Sequence, residues 1–121
     1  MATESVLTVF SNSDTTLRID VVTEDGGATP QTMTGWALQF VIRKAEDPGT
    51  GVQVVSYTTG SGISIGNGSG TDDRATVSIV DTDILHPPGR NYIWALWRTD
   101  AGSDVPLAHG QCVIKRAAAQ V

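Results

Sequence analysis

Few residues in this 121-residue chain have types that could do chemistry: two histidines, one cysteine, pairs of aspartates and three tryptophans. His86 and His109 invite a metal or acid-base reading, but no third ligand stands near either at the spacing such sites use. Each falls at a loop or strand edge where a solvated role suffices. Cys112 follows His109 by three residues in a strand-like run, and an odd offset along a strand sends two side chains to opposite faces. A thiol-imidazole pair is therefore disfavoured. As the only cysteine, Cys112 has no partner for an internal disulfide and reads as a small core hydrophobe.

The carboxylates of Asp72-Asp73 and Asp81-Asp83 are of the kind calcium takes from a loop. Neither pair carries the glycine and distal glutamate of a known calcium loop, so turn and capping duty is the expectation. Five glycines between Gly60 and Gly70 have a superficial likeness to a phosphate loop. The helix whose N-terminus would bind the phosphate is missing, which leaves hairpin punctuation. No catalytic residue, metal ligand or cofactor site can be assembled, and the chain is expected not to be an enzyme.

The tryptophans are more informative. Exposed indoles stack against sugars, so Trp36, Trp94 and Trp97 raise a carbohydrate-binding reading. Trp36 and Trp94 sit in alternating apolar runs and are expected in the core. Trp97 lies on the strand face opposite Trp94, beside Arg98, and is a candidate interface or ligand anchor.

The element that positions them is the run from Gly89 to Arg98. Tyr92, Trp94 and Leu96 share one face of a period-2 pattern and Ile93, Ala95 and Trp97 the other, as in a central strand that is apolar on both sides. The expected core anchors are Trp36, Phe40, Tyr92 and Trp94. The expected contact residues are Ile93, Trp97 and Arg98.

Around that strand the chain alternates short apolar runs with turn signals. Val6 to Phe10 is followed by the turn Ser11-Asn12-Ser13-Asp14, and Leu17, Ile19 and Val21 then alternate with Arg18, Asp20 and Val22. Asp25-Gly26-Gly27 is a break, and the stretch from Ala28 to Thr34, with Pro30 inside it, reads as an extended loop. Trp36, Leu38, Phe40 and Ile42 share a face opposite Ala37, Gln39, Val41 and Arg43. Glu46-Asp47-Pro48-Gly49 is a turn. Strands follow from Gly51 to Thr58, around Ile63 and Ile65, and from Ala75 to Val80. A helical turn capped by Asp81 is expected next, stopped by His86-Pro87-Pro88-Gly89. After the run to Arg98 come a turn at Asp100-Ala101-Gly102-Ser103 and a last strand from Val105 to Lys115.

Seven to eight strands with no helix-period segment predict a single all-β domain over residues 1–121, an antiparallel β-sandwich with short, extended termini at 1–5 and 117–121, although a closed barrel or a jelly roll would show much the same signals and strand order does not follow from one sequence. The net charge of -5 argues against nucleic acid or an anionic membrane as the partner. No apolar run approaches the ~20 residues of a membrane helix. MATESVLTVF has no basic region ahead of its apolar run, so synthesis in the cytoplasm without a signal peptide is expected.

The succession Gly35-Trp36 with Phe40-Val41-Ile42-Arg43, the glycine-rich hairpin at Ile63 and Ile65, Gly89-Arg90-Asn91-Tyr92-Ile93-Trp94-Ala95-Leu96, the turn at Asp100-Ala101-Gly102, and Leu107-Ala108-His109-Gly110-Gln111-Cys112-Val113-Ile114 resembles the small Ig-like β-sandwich virion proteins of tailed bacteriophages. The likeness is to tail-fibre-associated and upper-baseplate domains and covers roughly residues 15–116. Tyr92 stands where such a sandwich would carry a tyrosine corner, while the cysteine pair of true immunoglobulin domains is missing. The resemblance implies a non-enzymatic structural protein of the virion, without cofactors. Its partners would be tail, baseplate, fibre or capsid subunits, and it would serve in many copies as an attachment accessory or a capsid decoration protein. A carbohydrate-binding or adhesin module is the alternative.

Overall fold

The computed structural model describes residues 3–4, 6–23, 29–45, 53–84, 89–100, 102, 104–116. The expected turns at Asp25-Gly26-Gly27 and Glu46 to Gly49, the His86-Pro87-Pro88 stop and the tail from Ala117 lie outside them, as do Ala101 and Ser103.

Nine strands are present among the described residues: β1 (Thr3–Glu4), β2 (Leu7–Phe10), β3 (Thr15–Asp20), β4 (Leu38–Lys44), β5 (Gln53–Thr59), β6 (Gly62–Gly66), β7 (Arg74–Ile79), β8 (Gly89–Arg98) and β9 (Val105–Lys115). The fold is all-β, and the helical structure among the described residues is one 3₁₀ turn at Asp81–Asp83. The strands join into one hydrogen-bonded sheet in the order β1-β9-β8-β4-β5-β6-β7-β3, with β2 also on β9. An antiparallel sandwich is the sequence expectation, and the observed sheet is mixed. β1 and β2 run parallel to β9, and β5 steps onto β6 through a two-residue parallel pairing. At that step the hydrogen bonds from the Thr58 N–H to the Ser61 carbonyl and from the Ser61 N–H to the Thr58 carbonyl fold the chain back on itself. Gly60 and Gly62, at φ of 84° and 101°, supply the left-handed backbone the reversal needs.

One face of the curled sheet forms the core. Phe40, Leu38 and Ile42 of β4, Tyr92, Trp94 and Leu96 of β8, Val55 of β5, Val77 and Ile79 of β7, and Leu7 and Val9 of β2 are all buried in one cluster. The Phe40 ring stacks between Tyr57 and Trp94, with centroids 6.4 Å and 6.0 Å away. Opposite Trp94 the cross-strand partner is Gly110, which brings no side chain of its own to that face.

Two of the runs of consecutive buried residues, Val54-Val55 and Leu107-Ala108, coincide with breaks in strand register. Ile42 pairs with Val55 and Arg43 with Gln53, so Val54 is an extra residue on β5. Leu96 pairs with Ala108 and Trp97 with Pro106, so Leu107 is an extra residue on β9. These bulges turn both Val54 and Leu107 toward the interior alongside their neighbours.

Trp36 departs from its expected place. The chain turns just before β4, with the Trp36 N–H donating to the Met33 carbonyl and Gly35 at φ 81°. Trp36 therefore packs, partly buried, at the margin of the core. The 3₁₀ turn also differs from expectation: Val80 is its N-cap and no side chain caps it. Asp81 lies inside the turn, and its N–H donates to the Asp14 carboxylate at 3.0 Å.

Candidate functional site

β8 sits between β9 and β4, so its backbone is paired on both sides. Its inner face is core. Its outer face, Ile93, Ala95 and Trp97, meets the outer faces of both neighbours in a regular grid fixed by register. Gln39, Val41 and Arg43 of β4 lie opposite Trp97, Ala95 and Ile93, while His109 and Gln111 of β9 lie opposite Ala95 and Ile93.

The grid explains the relief of that surface. Ala95 is its smallest side chain and stands at the centre, with Trp97 and Ile93 two residues away along β8 and Val41 and His109 beside it across the strands. The result is an open groove of about 630 Å³, walled by Trp97 and Gln39 at one end and by Arg43 and Gln111 at the other, with Asp104 at its rim. That volume is in the range of small-molecule sites. Two side chains of the wall are already oriented: the Gln39 amide donates to the Ser56 hydroxyl at 3.3 Å, and the Gln111 amide to the Arg90 carbonyl at 3.1 Å.

Of the three expected contact residues, Ile93 and Trp97 line this groove and Arg98 does not. By strand parity Arg98 points to the other side, where its guanidinium carbon lies 3.7 Å from the centre of the Trp36 ring. Its Nε donates to the Asp100 carboxylate at 2.9 Å. That bond holds the Asp100 carboxyl below its ordinary pKa.

The remaining polar candidates are spent on structure. Asp73 is buried and accepts the Gly68 N–H at 2.7 Å. Backbone donors of this kind, from Gly68 first, hold its carboxyl below 3.8 against the opposing effect of burial. Asp72, at φ 50°, accepts the Thr34 hydroxyl at 2.6 Å. The Asp83 carboxylate accepts the Tyr57 hydroxyl at 2.6 Å, while that hydroxyl accepts the Val80 N–H at 3.2 Å. Burial and the Asp83 hydrogen bond push the Tyr57 phenol up to about 12. Cys112 is fully buried, and desolvation pushes its thiol up to about 12. It faces inward while His109 lines the outer groove, as their odd offset requires. His86 lies outside the described residues. Among the described residues no three His, Cys, Asp or Glu side chains converge as a metal site, and no helix is long and apolar enough to cross a membrane.

Sequence reasoning missed that Gln39, Arg43, Gln111, His109 and Asp104 come together. The alternation of β4 already puts Gln39, Val41 and Arg43 on the face opposite Phe40. What it does not contain is that β8 lies against both β4 and β9. No family model matches the chain, and no curated protein matches it.

Proposed function

We propose that this protein is a non-enzymatic structural subunit of a tailed-phage virion, binding other virion subunits as a tail, baseplate or fibre-attachment accessory or as a capsid decoration protein. The observation that carries a subunit-binding role is the way the sheet ends. β1 and β2 lie along β9 in a single register, Thr3 on Ala108 through Phe10 on Lys115, and pair with nothing on their other side among the described strands. Such an edge offers a row of free backbone donors and acceptors to a neighbouring subunit. Val6, between the two stretches, is 65% exposed and adds an apolar contact to that edge. Many copies on a symmetric particle need only modest affinity each. The resemblance of the chain to virion sandwich domains supplies the setting.

The test is composition. Particles banded from a lysate of the phage that encodes the chain are expected to contain it in a fixed ratio to the major capsid or tail protein, and Val6→Glu is expected to reduce that ratio. Absence from purified particles contradicts the reading. Capsid genes beside its own point to decoration, fibre genes to the tail. A second reading, a carbohydrate-binding module, is favoured by the groove around Ala95.

A further inference from the structure

We infer that the groove over Ala95 is a binding site for a neutral saccharide of one to a few units. The inference does not depend on the virion assignment, which rests on the sheet edge.

The first observation is position. The groove lies in the middle of the sheet, where β8 is already hydrogen-bonded to β9 and β4, and β4 to β8 and β5. An extended peptide binding by strand addition needs an unpaired edge, and this surface has none to offer. Whatever binds here must do so through side chains alone.

The second is the chemistry of those side chains. Trp97, partly exposed, brings its indole to one end. Gln39 and Gln111 are carboxamides that donate and accept at once, Arg43 donates, Asp104 accepts and His109 does both in its neutral form. A sugar hydroxyl likewise donates and accepts, and vicinal hydroxyl pairs match the two-pronged geometry of amide, guanidinium and carboxylate. The C–H face of a pyranose is the apolar surface an indole takes by stacking. Charge agrees, since one guanidinium and one carboxylate share the groove and give no excess of one sign to select a strongly anionic or cationic ligand.

The third is rigidity. Apart from Asp104, which precedes β9, the lining side chains rise from three paired strands whose register fixes their spacing, and Gln39 and Gln111 are held by hydrogen bonds to Ser56 and Arg90. A shallow site that binds a flexible, hydrated ligand gains most from side chains ordered beforehand. The groove is open to solvent.

The experiment uses the full chain and a printed panel of neutral hexose and N-acetylhexosamine oligosaccharides, with hits quantified by calorimetry. At least one oligosaccharide is expected to bind saturably with a millimolar or tighter Kd. Ala95→Phe, which fills the groove from the solvent side and leaves the core untouched, is expected to weaken it by about tenfold or more. Trp97→Ala is expected to do the same by removing the stacking face. Circular dichroism and thermal melting show whether each variant is folded, and His109→Ala serves as a third probe if Ala95→Phe is not. No saturable binding across the panel overturns the inference, as does binding that survives both Ala95→Phe and Trp97→Ala in folded protein. Loss of particle incorporation on Ala95→Phe without any saccharide binding makes the groove a subunit interface and overturns it too.

Discussion

The Arg98 guanidinium lies over the Trp36 ring, its Cζ 3.7 Å from the ring centre, with its Nε tied to Asp100. This pair closes the end of the core where the turn at Gly35 leaves Trp36 short of β4, and it is independent of the groove on the other side of β8. Arg98→Ala is therefore expected to lower unfolding free energy by about 1 kcal/mol, measured by urea denaturation, with no effect on saccharide binding. Arg98→Lys keeps the charge but loses the planar stack and recovers only part.

Asp73 makes stability depend on acid. Its folded pKa lies below the ordinary 3.8, so the folded state releases that proton more readily than the unfolded chain does. The stabilisation is complete above 3.8 and is lost as pH falls through the lower folded value. Asp73→Asn is expected to be less stable than the natural protein at neutral pH, and the gap should close on acidification below 3.8. Denaturation midpoints of the two proteins across that range check it.

Tyr57 works with the opposite sign. Its folded pKa of about 12 exceeds the ordinary 10.0, so its contribution is present below 10 and lost as pH rises toward 12. Tyr57→Phe removes the bond to Asp83 and leaves the Val80 N–H without its acceptor, an expected cost of about 1 kcal/mol. Gly62→Ala is expected to cost more than about 1 kcal/mol, because its Cβ would stand 2.5 Å from the Tyr57 ring at a φ of 101°. Thermal melts of both variants, and an alkaline absorbance titration of the tyrosines, check these outcomes.

Cys112 has zero exposure and a thiol pushed to about 12. It is expected to resist an aromatic disulfide reagent in native buffer and to react fully in urea. Rapid labelling of the native protein contradicts that burial.

How much of this was legible depended on range. The period-2 pattern of residues 92–97 assigned the two faces of β8 correctly, because parity is a local property of an extended chain. The odd offset of His109 and Cys112 separated them for the same reason. Trp36 packs at the margin of the core because the turn at Gly35 leaves it two residues short of Leu38, where β4 begins, and alternation alone does not reveal where a strand begins. The parallel pairing of β1 and β2 with β9 joins residues 105 apart in the chain, and the bulges at Val54 and Leu107 are set by pairing with a neighbouring strand, which the alternation of one strand does not contain. The groove was half legible. Ile93 and Trp97 marked its centre strand, but Gln39, Arg43, His109 and Gln111 are brought there only by the order of the strands.

The central claim is that the outer face of β8, β4 and β9 is a ligand site. It is tested most directly by two-dimensional amide NMR of the labelled chain, titrated with an oligosaccharide from the neutral panel. The account predicts shifts concentrated at residues 39–43, 93–97 and 109–111 that disappear in Ala95→Phe. Shifts confined to other strands, or none at saturating saccharide, contradict it.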